Sequence, residues 1–463
     1  MQGRLQQDQS QRIEWVEAWH WKICWIIVLA LFVRVLAAFF LIGFDHPNEI
    51  YRSVEPIAHL RGYSTFLPFE WSDQLLFLLP IFVQYSWVEF LHSIGVSSPL
   101  GQWIGLKLVY GTLSLAPLLF VWRSSRSLWA CLFLALWPEL IYRSVRVMDY
   151  SLEMSFLALA LFFAWKGLTQ QEFQKKRGLV ISGILLGALF FVRIQTGLHL
   201  ISLVLVLLWT HRKTPSLSQR VLKPFVLLLS YGVTLFFLAW LDSRWSHTPL
   251  LTPLWNNIHF NVIQQGAVKG WGAQPWHRYF SEIFKFYGFF PILFGFIFWI
   301  KNPPKMIWVI LLGFPFLVHS ILAHKEARFM FGFVWLMVPL VESSVRRFYG
   351  QFAQKKWKAF AGMTLMLGLA LNVYRLIPPT LQGSQTVREF NRMGDELERV
   401  SQTPQDSPLL RVFLNHEQSP GSFFLRYRGP ICYQNSMPCP KPSSDSSEIE
   451  LKESSAGWVL RVK

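Results

Sequence analysis

Long apolar stretches alternate with short polar ones along almost the whole chain. Runs dominated by Leu, Ile, Val, Phe and Trp occur near 23–43, 74–92, 101–121, 127–143, 150–166, 178–194, 197–210, 223–241, 284–300, 306–323, 329–344 and 358–377. A helix needs about 20 apolar residues to cross the hydrocarbon layer. The alternating pattern of a membrane barrel would be far less apolar per segment. The pattern therefore predicts an all-α polytopic membrane protein.

Charge sets the topology. If the run at 74–92 does not span, the segments 1–22, 122–127, 166–177, 211–223, 301–305 and 345–358 share one side, and their 72 residues hold 20 Lys and Arg. The opposite loops, 44–100, 143–149, 193–196, 242–283 and 324–328, hold 10 in 115 residues. Short loops rich in Lys and Arg stay in the cytoplasm. The bias predicts about 11 transmembrane helices: a cytoplasmic segment 1–22, a transmembrane domain 23–377 with outer loops 44–100 and 242–283, and a soluble outer-face domain 378–463. The stretch QLLFLLPIFVQYSWVEFLHSIG at 74–95 then lies on the outer surface as an interfacial helix, with a plain spanning helix as the alternative. Within the tail, 436–456 is rich in Ser, Pro, Lys and Glu and is expected to be loose.

Composition changes the picture little. A net charge of +17 would suggest nucleic acid in a soluble protein, but the basic loops account for it and no nucleic-acid partner is expected. Polar residues 1–22 run straight into an apolar stretch, so no cleavable leader is expected. Cys24 and Cys131 read as packing residues. A Cys432–Cys439 disulfide stays open, conditional on an oxidising compartment. No metal-type spacing appears.

Five polar clusters fall on the outer side. Asp45, His46, Glu49, Glu55 and Glu70 follow the first span, where a carboxylate can take a proton from a hydroxyl nucleophile or merely be solvated. YRSVRVMDYSLE at 142–153 and FFVRIQTG at 190–197 bring Arg146 and Arg193, which suit phosphate oxygens or snorkel to the interface. The segment 241–280 offers Asp242, Asn261, Trp276 and His277 among many aromatic rings, which suits sugar binding or an interface belt. HKEARF at 324–329 places His324, Lys325, Glu326 and Arg328 between two apolar runs. Ionisable groups in that position usually face a polar cavity; pairing among themselves is the plainer alternative.

These residues carry a resemblance. HPNEIYRSVEPIAH, DSRWSHTPLLTPLWNNIHFNV, GWGAQPWHRYF and HKEARFMF are similar to the motifs of glycosyltransferase family 22, the mannosyltransferases of asparagine-linked glycan and GPI-anchor assembly, which have the GT-C fold. SVRVMDYSLE and FVRIQT resemble its arginine-bearing segments. The likeness runs from about 30 to 345. It implies a GT-C-like chain that transfers a sugar, with inversion, from a polyprenyl-phosphate carrier to a hydroxyl of a lipid-linked glycan or glycolipid, using no cofactor and no metal. Carried over, Glu49, with Asp45, becomes the base. Lys325, Arg328, His324, Arg146 and Arg193 become the donor-phosphate ligands. His46, Asp242, Asn261, Trp276 and His277 become sugar or acceptor ligands. Two positions depart from the family: Asn48 stands where it has Asp, and Ile194 where it has Pro.

Two other readings fit the same residues. A lipid-linked-glycan transporter would need polar residues around the midplane, whereas here they gather on one rim. An inactive GT-C scaffold would explain Asn48. The chain carries no Asn-x-Ser/Thr sequon, which points to a bacterial inner membrane with a periplasmic active face, or to the endoplasmic reticulum membrane if the chain is eukaryotic.

Overall fold

The computed structural model describes residues 2–44, 46–63, 67–169, 172–212, 217–287, 306–342, 366, 369–374, 376, 384–395, 409–412, 424, 431–433, 448–454 and 457–462. Its body is helical. Among the described residues three helices are long and apolar enough to cross a membrane, Trp21–Phe40, Pro99–Ser125 and Arg220–Ser246. They become four if the bent pair Pro138–Ser144 and Asp149–Trp165 is one span. The runs expected at 284–300 and 358–377 fall mostly outside the described residues. Helix Leu79–Ser93 has 15 residues, about 22 Å at 1.5 Å per residue, short of a hydrocarbon layer of about 30 Å.

Buried polar groups at the breaks fix how the helices pack. Pro138 follows helix Leu128–Leu136 and has no N–H, so the Leu134 carbonyl loses its usual partner four residues on. Arg34, buried in the first span, supplies the replacement: Nη2 donates to Leu134 O at 3.2 Å and Nη1 to Ala135 O at 3.1 Å, while Nε donates to Ser114 Oγ at 2.8 Å. A guanidinium alone at this depth would be expensive; one satisfied on every arm joins three helices.

Helix Glu172–Val192 lies against helix Leu217–Ser246. The glycines of GILLG make the approach possible. A Cβ on Gly183 would sit 2.0 Å from Ser230 Oγ and 2.6 Å from Leu227 O. Small residues four apart let membrane helices meet backbone to backbone. The other face of Leu217–Ser246 presents Leu229, Val233, Phe236 and Phe237 outward, as lipid-facing positions require.

The tail corrects the all-α expectation. Strands β1 (Leu409–Val412), β2 (Ile431–Tyr433), β3 (Glu448–Ser454) and β4 (Gly457–Val462) form one sheet in the order β2-β1-β3-β4. β1 is parallel to both its neighbours, and β3 and β4 are antiparallel. β3 lies in the stretch expected to be loose. In the sequence Ile449 and Leu451 alternate with Glu450 and Lys452, the period of two that favours a strand, which bulk composition conceals. Cys432 sits in β2; Cys439 lies outside the described residues. Helix 384–395 docks on the first loop, where Val387, Phe390 and Met393 join the core of Ile50, Val54 and Trp103.

Candidate active site

The first loop begins with a helical turn Pro47–Glu49, continues through Ile50–Val54 and ends in helix Glu55–Leu60. Ile50, Val54, Ile57 and Ala58 pack inward and orient the segment. Asn48 and Arg52, four residues apart, share the opposite face, as helical neighbours do. They form one wall of a cavity of about 340 Å³. The remaining walls come from Glu70, from Asp149 at the bend, from Arg193, from Asn257, Phe260, Asn261 and Trp271, and from His324 to Phe329.

Four cations line this cavity. Arg52 is paired with Glu70, which accepts from Nη2 at 2.8 Å. Arg328 donates Nη2 to Glu326 Oε1 at 2.8 Å, and its Nε approaches Oε2 at 2.5 Å. Arg193 donates Nη1 to Glu153 at 2.5 Å and to the Arg328 carbonyl at 3.2 Å. Lys325 donates to the carbonyls of Gln274, at 3.0 Å, and Leu322 and has no carboxylate partner among the described residues. With its amide oxygen turned to the cations, Asn48 accepts from Arg328 Nη1 at 2.5 Å and from Arg52 Nε at 3.1 Å. Three carboxylates line the same walls, Glu70, Asp149 and Glu326, so cations are in excess.

Glu326 is the hub of the HKEARF segment. It accepts from Arg328, bonds His324 Nε2 at 2.9 Å and faces His46 Nε2 at 3.9 Å. Burial alone would raise its carboxyl, but the Arg328 charge and the bonds to His324 and Arg328 outweigh that and hold it below the ordinary value.

Several expected site residues gather here: His46, Asn261, Arg193, His324, Lys325 and Arg328 all line the cavity. Others do not. Glu49 has no exposed surface; its carboxylate lies 3.3 Å from Lys107 Nζ, accepts from Val147 N at 3.1 Å and lies 3.8 Å from Arg146. Enclosed this way, it faces Lys107 and stands outside the cavity lining, apart from the groups that an acceptor in the cavity would meet. Arg146 is equally buried, donating to the Gly43 carbonyl and standing 4.0 Å over the Tyr142 ring, so it holds protein, not phosphate.

Asp242 is buried elsewhere. Its Oδ1 accepts from Leu78 N at 2.7 Å and Leu79 N at 2.8 Å, a carboxylate satisfying the amides at the start of helix Leu79–Ser93. Trp276 and His277 are exposed, and Trp276 packs edge-on against His277 and Phe280, outside the cavity lining. Asp45 lies outside the described residues.

Arg52, Asn257, Phe260 and Trp271 line the cavity without having been singled out in the sequence, and Glu70 and Asp149, which also line it, lie in two of its polar clusters without an assigned role. The spacing of Asn48 and Arg52 was the available signal for one of them. Phe260 and Trp271 stand 5.7 and 6.0 Å from Phe69, an aromatic corner suited to a sugar face. Among the described residues no group of three His, Cys, Asp or Glu could hold a metal ion. The arrangement can bind an anion at its guanidinium and ammonium groups and offer carboxylates, amides and aromatic faces to a polyol.

A solved structure of ArnT from Cupriavidus metallidurans, bound to undecaprenyl phosphate, superposes with a TM-score of 0.57 at 13% identity, covering 89% of this chain and 86% of that one; that likeness concerns the fold. GPI mannosyltransferase 3 of Yarrowia lipolytica is 27% identical over 355 residues, 72% of this chain and 64% of that protein. Human GPI alpha-1,2-mannosyltransferase 3 is 24% identical over 331 residues, 66% of this chain and 55% of that protein. The chain thus spans less than two thirds of the length of these relatives. The model of the Alg9-like mannosyltransferase family matches residues 25–426. A match over that length, with the family's segments meeting around one cavity, makes this chain a member of the Alg9-like mannosyltransferase family.

Proposed function

We propose that the cavity transfers a mannosyl group from a polyprenyl-phosphate carrier to a hydroxyl of a lipid-linked glycan or glycolipid, with inversion at the anomeric carbon. The observation that carries this reading is the excess of cations in a cavity that also has an aromatic corner. Lys325 and Arg328 meet the carrier phosphate and stabilise it as it leaves, charge-assisted bonds being the strong ones. Asn257, Asn261 and Trp271 hold the sugar. ArnT, the structural neighbour, holds an undecaprenyl phosphate, a carrier of the same chemistry.

The loop charges support a cytoplasmic N-terminus, about 11 spans and a cavity on the outer side of the membrane. A fixed site reached from one face suits a transferase better than a transporter, which must expose its site to both faces.

The test is transfer of radiolabel from synthetic polyprenyl-phosphate mannose to the lipid fraction of isolated membranes. Label that moves only when the protein is present supports the reading. No transfer from this donor or from other polyprenyl-phosphate hexoses overturns it.

A further inference from the structure

We propose that Asp149 is the general base of the transfer, a role that rests on the reading of the cavity as a glycosyl-transfer site. The first loop is the obvious source of a base, yet its described residues do not supply one. Asn48 faces the cavity, but an amide takes no proton at neutral pH. Glu49 faces away and is enclosed by Lys107, Arg146 and Val147 N. Glu70 accepts two bonds from Arg52, at 3.2 and 2.8 Å.

The other two cavity carboxylates differ in how tightly they are held. Glu326 is bonded to both Arg328 and His324. Asp149 keeps 3.6 Å from Arg193 Nε, because that guanidinium is drawn to Glu153 at 2.5 Å. Its Oδ1 accepts from Tyr150 N at 2.9 Å, and its Oδ2 carries the 3.6 Å Arg193 contact, a looser hold than the 2.8 Å Arg52 bond on Glu70 or the Arg328 bonds on Glu326. About a quarter of the side chain is exposed (23%).

Position points the same way. A smaller chamber of about 70 Å³ opens off the main cavity, and Asp149 lines both, as Asn48 and Arg52 do. The carboxylate therefore stands where the two meet, with Asn48 lining the same two spaces. The 104° bend between Pro138–Ser144 and the helix starting at Asp149 puts it there.

The step balances without a further reactant. The acceptor hydroxyl gives its proton to Asp149 Oδ2 as its oxygen bonds to the anomeric carbon. The bond from that carbon to the phosphate oxygen breaks, and its electron pair leaves with the polyprenyl phosphate, which Lys325 and Arg328 receive. The proton then returns to water.

The experiment compares wild type, Asp149→Asn, Asp149→Glu and Asp73→Asn in the transfer assay with polyprenyl-phosphate mannose, each checked for monodispersity in detergent. Asp149→Asn is expected to lower kcat at least ~100-fold with the donor KM little changed, the usual weight of a proton-transfer group, while Asp73→Asn, an exposed first-loop acid outside the cavity lining, stays near wild type. Asp149→Glu keeps the charge beside Arg193, so it reads the base role even if the amide disturbs folding: a base displaced by one methylene loses kcat at least ~10-fold, whereas a merely charge-pairing residue keeps it. Full kcat in Asp149→Glu, or an Asp149→Asn protein that still transfers near the wild-type rate, overturns the inference. A wild type that transfers no polyprenyl-phosphate sugar overturns the functional reading and this inference with it.

Discussion

The Glu49 carboxylate lies 3.3 Å from the Lys107 ammonium, and neither side chain has exposed surface. Lys107 also donates to the carbonyls of Gly43 at 3.3 Å and Val145 at 3.4 Å, while Glu49 accepts from Val147 N. One buried pair thus fastens the first loop, helix Pro99–Leu113 and the bend at 145–148 together.

Removing one member of a buried ion pair strands the other, typically at 3–5 kcal/mol. Glu49→Gln and Lys107→Met are each expected to lower the melting temperature in detergent by several degrees, and the double substitution by less than the sum of the two. Thermal-shift measurements on the three variants check this. Additive losses would mean that the pair is not coupled.

Lys325 and Arg328 are assigned to the carrier phosphate. A hydrogen bond to a charged group contributes about 1.5–3 kcal/mol, so Lys325→Ala and Arg328→Ala are each expected to cut kcat/KM for the donor by roughly 10- to 100-fold. Arg328→Lys should restore less than half of that, since a single ammonium nitrogen lacks the planar fork by which Arg328 reaches Asn48 and Glu326 from separate nitrogens. Steady-state kinetics against donor concentration gives the answer.

The pH response of the HKEARF segment follows from Glu326. Its carboxyl is held below the ordinary value, so the ion pair stabilises the fold fully above the unfolded pKa of about 4.3 and is lost as pH falls through the lower folded value. Between pH 7 and 5 this group should contribute no change. Melting curves from pH 7 to pH 3 should show an acid loss that is smaller in Glu326→Gln. Equal acid losses in both proteins would remove Glu326 from the account.

Gly183 tests the helix seam. A valine there meets Ser230 Oγ and the Leu227 carbonyl, and because one of these is backbone the helices must part. Overpacking of this kind costs about 1–3 kcal/mol, to be seen as a lower melting temperature. Gly232→Ala, where a Cβ meets nothing within 4 Å, is the control and should change little.

Much of the protein is legible in its residue pattern. The apolar runs, the basic bias of one set of loops and the HKEARF segment follow from burial and charge, which act on residue type along the chain. They are enough to expect a helical membrane body and a polar cavity built from several loops. The tail sheet is harder to read, because a strand of seven residues, Glu448–Ser454, is a local alternation within a hydrophilic stretch.

Residue order is enough to give a helical membrane protein, the polar clusters that can meet and the family whose motifs they match. Which carboxylate faces the cavity depends on how the helices pack. Asn48 and Glu49 are neighbours in one helical turn and point about 100° apart, at 3.6 residues per turn; packing of Ile50 and Val54 turns the first toward the cavity and the second toward Lys107. Asp242 and Asp149 differ likewise: both sit at helix ends, but one meets the bare amides of Leu78 and Leu79 and the other an arginine already engaged by Glu153. Residue type gives each acid its chemistry, while the partners set by the packed helices decide which acid can use it.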